Sequence, residues 1–177
     1  MLHSVLLYRS MFGMQSTPSV DVSDPGGLVR SQVMQTPDRH VSFTLNSSQA
    51  TRTVSGQIFS SYSGTGINHM AFMTSDIFQV AGLLQNNGAA TMHVPENYYD
   101  DLAARFTLID DQLDRMQHAN ILYDEDDQGC FYQLYTTLYG GRFCFEIVQR
   151  MGYTGFGVPN AQIRMTMQSR ELRSDNG

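Results

Sequence analysis

Two polar, ion-binding side chains sit in the middle of apolar runs: His69 within GINHMAFM (66–73) and Glu146 within RFCFEIVQR (142–150). Residues two apart on a strand share a face. On the first run His69, Ala71 and Met73 share one face, and Met70 and Phe72 the other. On the second run Cys144, Glu146 and Val148 share a face, while Phe143, Phe145 and Ile147 make an apolar stripe suited to lie beneath helices. A carboxylate buried alone in such a strand costs several kcal/mol, so a positive partner is expected. Arg142 and Arg150, each four residues away, are one source. A metal ion shared with a neutral His69 nitrogen is another. By pattern alone, an ion pair for Glu146 and a backbone-bonded buried His69 stay open.

Neighbouring strands carry inward polar groups as well. Residues 41–46 place Ser42, Thr44 and Asn46 on one face, and CFYQLYT places Gln133 between Phe131 and Tyr135. Polar residues facing inward on several strands describe a lined cavity rather than a dry core. The DEDD run at 124–127 lacks the glycine and closing glutamate of a calcium loop and reads as a solvated hairpin turn. His40, His93 and His118 lie at a turn, before Pro95 and on an acidic helix; of these only His93 has a position from which it could face the cavity.

The elements that position these residues form two modules. Residues 1–46 begin with a helix that stops at Gly13, followed by extended pieces at 14–22, 27–35 and 41–46. Residues 47–65, rich in Ser, Thr, Gly and Gln, read as a linker with one helical turn around Ile58. Residues 66–150 follow as a second module: a strand, a helix capped by Ser75-Asp76 and closed at Gly88, a short strand at 90–94, two inserted polar helices and three strands. Residues 151–177 are a turn, a polar helix at 161–172 and a tail that frays at SDNG. The expected fold is α+β, built of β-α-β-β-β modules in a barrel-like mixed sheet, with the first strand of the first module missing.

The composition narrows the function classes. The chain has 177 residues, 41% of them hydrophobic, enough for a real core. A net charge of −6 argues against nucleic acid or an anionic membrane as partner. No apolar run approaches the length of a bilayer span, and the N-terminal run lacks the features of a leader, so a cytoplasmic location is expected. Cys130 and Cys144 read as free thiols, and the 11 methionines as core filler.

Five motifs then appear in order: GINHMAFMTSDIF, VPENYYDDLAARF, ILYDEDDQGCFYQLYT, GGRFCFEIVQR and GFGVPNA. Together they resemble the C-terminal half of the 4-hydroxyphenylpyruvate dioxygenase family, of the vicinal-oxygen-chelate type. The resemblance implies a non-haem site for Fe(II) or another divalent metal, with His69 and Glu146 as ligands and a small 2-oxo acid or related molecule as substrate. It places Gln133, Asn46 and, less directly, Ser31 on the substrate pocket, and aligns Gln57 with a further pocket glutamine. GLVRS, NYYDDLAARF and GFGVPNAQIR resemble still more the C-terminal domain of two-domain bacterial 3-dehydroshikimate dehydratases. GVPNA lacks the bulky aromatic that true dioxygenases carry near Ala161, which counts against the tyrosine-pathway reaction. The family's first histidine ligand falls upstream of Leu2, and His3 lies in the helix, so the site is one ligand short. A fragment of a genuine dioxygenase and a non-catalytic binding or oligomerisation module with a vestigial site are the alternatives; the partners expected are a small-molecule substrate and either a second copy of the chain or a missing N-terminal domain.

Overall fold

The computed structural model describes residues 1–174 and divides into two compact units, Met1–Gly66 and Ile67–Gly177. Residues 175–177, where most of the frayed tail was expected, lie outside the described residues.

The first unit opens with helix α1 (Leu2–Phe12), ended by Gly13 in the left-handed conformation. Strands β1 (Gln15–Ser16), β2 (Val20–Asp24), β3 (Gly27–Gln35) and β4 (Ser42–Ser47) form one antiparallel sheet in which β3 pairs with all the others. The expected single extended piece at 14–22 is thus broken in two around Pro18. Within residues 47–65 the chain makes a full helix, α2 (Val54–Ser61), rather than one turn. Two caps explain its length: Thr53 accepts from Gly56 N, and the buried Asp24 carboxylate accepts from Val54 N at 2.9 Å.

The second unit holds a four-stranded sheet of order β5-β8-β7-β6: β5 (His69–Met73), β6 (Leu122–Asp126), β7 (Gly129–Tyr135) and β8 (Cys144–Met151). β5 is an edge strand, parallel to β8; the other pairs are antiparallel. Helix α3 (Ile77–Asn86), capped by Asp76, packs on one side of the sheet, where Phe78 meets Tyr132. Helix α6 (Val158–Ser174) lies over the other side, reaching Gln133 and Cys144. Helices α4 (Glu96–Arg105) and α5 (Asp110–His118) complete a core whose largest buried members include Tyr99, Leu102, Met116 and Leu134. The expected strand at 90–94 is reduced to a bridge, Thr91↔Thr136, because Val94 N turns to Asn120 Oδ1 and Pro95 has no N–H to continue a ladder. In the DEDD run only part is solvated: Asp124 is buried and accepts from Tyr153 Oη at 2.7 Å. Both cysteines are free thiols; Cys144 is buried, Cys130 partly so.

Candidate metal centre

The parallel register sets His69 opposite Cys144 and Ala71 opposite Glu146, so His69 and Glu146 face the same side one pleat apart. Their Nε2 and Oε2 atoms lie 3.4 Å apart. Across the sheet, Tyr135 pairs with Glu146 and Gln133 with Val148, which brings both side chains onto that same face.

Glu146 is 6% exposed, and its two oxygens are treated differently. Oε1 accepts from Gln133 Nε2 at 2.8 Å and from Tyr135 Oη at 2.7 Å. Oε2 faces His69. Gln133 is itself held: its Nε2 also reaches Tyr135 Oη, and its Oε1 accepts from Asn160 Nδ2 at 2.8 Å. Asn160, buried on α6, accepts in turn from Tyr98 Oη on α4. Burial and the adjacent Glu146 charge push the Tyr135 hydroxyl well above its ordinary pKa, so it stays a donor.

Asn68 fixes the imidazole. Its Oδ1 accepts from Arg164 Nη1 at 3.0 Å, and a guanidinium can only donate. His69 Nδ1, 3.0 Å from that oxygen, therefore carries the ring proton. Burial, and then the Arg164 charge, lower the His69 pKa to about 4 against the opposing pull of Glu146, so the ring is neutral at pH 7. A bare Nε2 lone pair thus confronts a carboxylate oxygen. Two acceptors in that position repel unless a cation or proton lies between them. Ligand atoms bound to one ion at about 2.0–2.2 Å sit roughly 3–3.6 Å apart, a range that includes the observed separation. The residues fit two positions of a divalent site, and His69 keeps 21% of its side chain exposed. Among the described residues no group of three His, Cys, Asp or Glu side chains gathers around a common point, so no third ligand is in place.

Of the residues singled out in the sequence, the structure gathers His69, Gln133 and Glu146. Ser31 and Asn46 come together in the first unit, as register partners on β3 and β4 with Ser31 Oγ donating to Asn46 Oδ1 at 2.9 Å. Gln57 is exposed on α2 and donates to Arg52 O. His93 and His118 are exposed, and the exposed His40 lies 3.3 Å from Asp38. Arg150 is held beside the site by Gly155 O and the Phe131 ring and feels the Glu146 charge.

Besides Asn68, next to His69 in the chain, four residues of the cluster were not foreseen: Tyr135, Asn160, Arg164 and Gln168, the last accepting from Arg164 Nη1. Tyr135 was readable, being two residues from Gln133 on the same face. The other three recur every fourth position along α6, the spacing of one helical face. A separate surface cleft between α3 and α5, lined by Phe78, Asp114 and Arg115 among others, borders none of the expected site residues.

The sequence of this chain is 39% identical over 171 residues to a 3-dehydroshikimate dehydratase of Pseudomonas aeruginosa, covering 96% of this chain and 27% of that protein. Among solved structures, a variant of 4-hydroxymandelate synthase from Streptomyces coelicolor matches 96% of the chain and 50% of its own, with a TM-score of 0.84 and 26% identity. A xylose isomerase-like TIM barrel/4-hydroxyphenylpyruvate dioxygenase fusion protein matches at TM-score 0.78 and 37% identity, again over 96% of this chain and 27% of that one. The chain is a 4-hydroxyphenylpyruvate dioxygenase-like domain. Its fold is the vicinal-oxygen-chelate α+β arrangement expected from the motifs. No protein-family model matches it. It spans about a quarter of the length of the dehydratase, whose name describes that longer protein.

Proposed function

We propose that this dioxygenase-like domain binds a divalent metal, Fe(II) as the family resemblance implies, through His69 and Glu146, at a site for a 2-oxo acid, and that it comes from a 3-dehydroshikimate dehydratase-type protein. The observation that carries the reading is the 3.4 Å approach of two lone-pair acceptors, His69 Nε2 and Glu146 Oε2, each with its other polar atom already bonded. Iron bound there would supply Lewis acidity, open positions for a chelating ligand and redox chemistry with dioxygen.

The chain's own residues prepare that site. Tyr135 and Gln133 hold Glu146 by one oxygen and leave the other free to bind one ion. Asn68 holds the tautomer of His69 that presents Nε2 outward. Gln133 is the residue of this cluster proposed to meet the ligand as well, exchanging one of its amide bonds. The resemblance also assigns Ser31 and Asn46 to the substrate pocket; within the first unit their side chains bond to each other.

Anaerobic titration of the purified chain with Fe(II), read by metal analysis and thermal unfolding, tests the reading. Weak binding that raises the melting temperature is expected, and H69A and E146Q should abolish it. Unchanged stability at millimolar iron would overturn it. The missing third ligand favours a second reading, a non-catalytic module with a vestigial site. Bound iron with no oxygen uptake in the presence of 2-oxo acids would support that reading over a dioxygenase.

A further inference from the structure

Arg164 is the one member of the cluster whose charge the cluster does not explain. It is 7% exposed, on the face of α6 that looks onto the site. Its Nη1 donates to two neutral acceptors, Asn68 Oδ1 and Gln168 Oε1, each at 3.0 Å. Among the described residues no carboxylate forms an ion pair with it, and no acceptor is found for its Nε or Nη2. Other arginines are relieved. Arg30 pairs with Asp21 on the surface, Arg105 lies 3.8 Å from Asp124, and Arg150 lies over the Phe131 ring. Its Nε–Nη2 edge is still reached by solvent, while the rest of the side chain is buried; a largely buried guanidinium without a paired counter-ion is costly, and a protein retains one chiefly where an anion arrives to meet it.

A second sign comes from its neighbour. Asn68 Nδ2 is buried and has no hydrogen-bond partner. The oxygen of this amide serves His69 and Arg164, while its donor end waits for an acceptor. Two donor groups without acceptors, one charged and one neutral, thus adjoin the His69–Glu146 pair.

The charge balance then indicates what arrives. Within the site Glu146 and Arg164 carry opposite formal charges but form no ion pair. A divalent ion on His69 and Glu146 would leave it doubly positive in a poorly hydrated setting, where such an excess is strongly felt. We infer that Arg164 is the anion-recognising residue of this site, and that the ligand is a small molecule with two carboxylates, one of them paired with the Arg164 guanidinium. The second negative charge rests on the metal reading above; the role of Arg164 does not. A planar fork suits a carboxylate, which can take two parallel hydrogen bonds from the Nε and Nη2 edge.

The test is calorimetric titration with 2-oxoglutarate, a dicarboxylate, against 2-oxobutyrate, a monocarboxylate. Each is run with Co(II) as a redox-inert substitute for Fe(II) and again in EDTA. The chain with Co(II) should prefer 2-oxoglutarate by about tenfold or more. R164M should lose that preference and leave 2-oxobutyrate affinity within about twofold, both read at saturating Co(II); R164K should keep part of the preference. A residue that merely braced Asn68 would weaken both ligands together. Should R164M fail to fold, R164Q decides in its place, since it retains a donor toward Asn68 and lacks the charge. The inference fails if the unmodified chain shows no preference, or if the preference survives loss of the charge. Arg164-dependent 2-oxoglutarate binding in EDTA, with no Co(II) uptake, would sink the metal reading and keep this one.

Discussion

The two units carry polar groups on their sheets under different conditions. In the first, Ser31 and Asn46 are neutral and satisfy each other across adjacent strands. Beneath α1 that unit gathers Val5, Met14 and Met34 in a small buried cluster, with Val22, Val29, Val33, Val54 and Ile58 also buried within it. The second holds a contiguous core of fifteen buried residues, from Ile77 to Met167, in the same unit as a buried carboxylate, a buried guanidinium and a partly buried imidazole. Burying charge is tolerated where enough apolar area is buried around it and where donors are fixed in advance. The difference suggests that the chain invests its packing in the second unit because the costly groups are there.

Substitutions can break or sharpen that contrast. The largest effect is expected at Glu146: E146L strands the Gln133 amide and Tyr135 hydroxyl and should cost about 3 kcal/mol in urea unfolding, while E146Q should keep the fold and lose ion binding. Next is Gly157, whose φ is +59° and whose added Cβ would lie 2.7 Å from Phe131 and 2.9 Å from Gln133 Oε1. G157A should cost about 2 kcal/mol by chemical denaturation, through left-handed strain and displacement of Gln133.

A pH effect should follow, measured with chelator present. The folded His69 pKa of about 4 lies below its ordinary 6.5, so the unfolded chain binds more protons between those values. Stability present above pH 6.5 should be lost as the pH falls toward 4, with a slope approaching one proton; H69Q should flatten that slope in melting curves across the range. A slope unchanged by H69Q would mean that the ring is not held neutral. The smallest effect belongs to the first unit. S31A removes one neutral hydrogen bond and should cost about 1 kcal/mol or less, with Fe(II) binding unchanged. A larger loss would erase the contrast between the units.

Much of this was legible because strands alternate. The pairing of His69 with Glu146 on one face, and of Gln133 with them, follows from period two and from the apolar residues between. Alternation also marked Tyr135, but an aromatic between strand residues reads as wall and not as a hydroxyl donor. The positive partner was sought at Arg142 and Arg150, near in sequence, whereas the charge beside His69 includes Arg164, brought by a helix folded back over the sheet. From the sequence that helix read simply as polar. Asn160, Arg164 and Gln168 are in fact buried, and composition does not separate a helix facing water from one facing a polar site. The full length of α2 was missed for a different reason. Its N-terminal support includes Asp24, thirty positions earlier in the chain, a contact that local pattern does not contain.

Strand β5 has no buried residue, though it carries His69. Hydrophobic contrast between its two sides is weak, with Met73 exposed on one and Met70 and Phe72 exposed on the other. A slide of one residue along β8 would therefore cost little in apolar burial, yet would turn the imidazole to the wrong side of the sheet. What opposes that slide is polar: Cys144 N on Asn68 O, Thr74 N on Val148 O, and the Asn68 amide gripped from α6. The groups that shape the ion site are thus also the ratchet teeth that keep its edge strand in step. Loosening them should disorder the alignment of the strand before it disturbs the core.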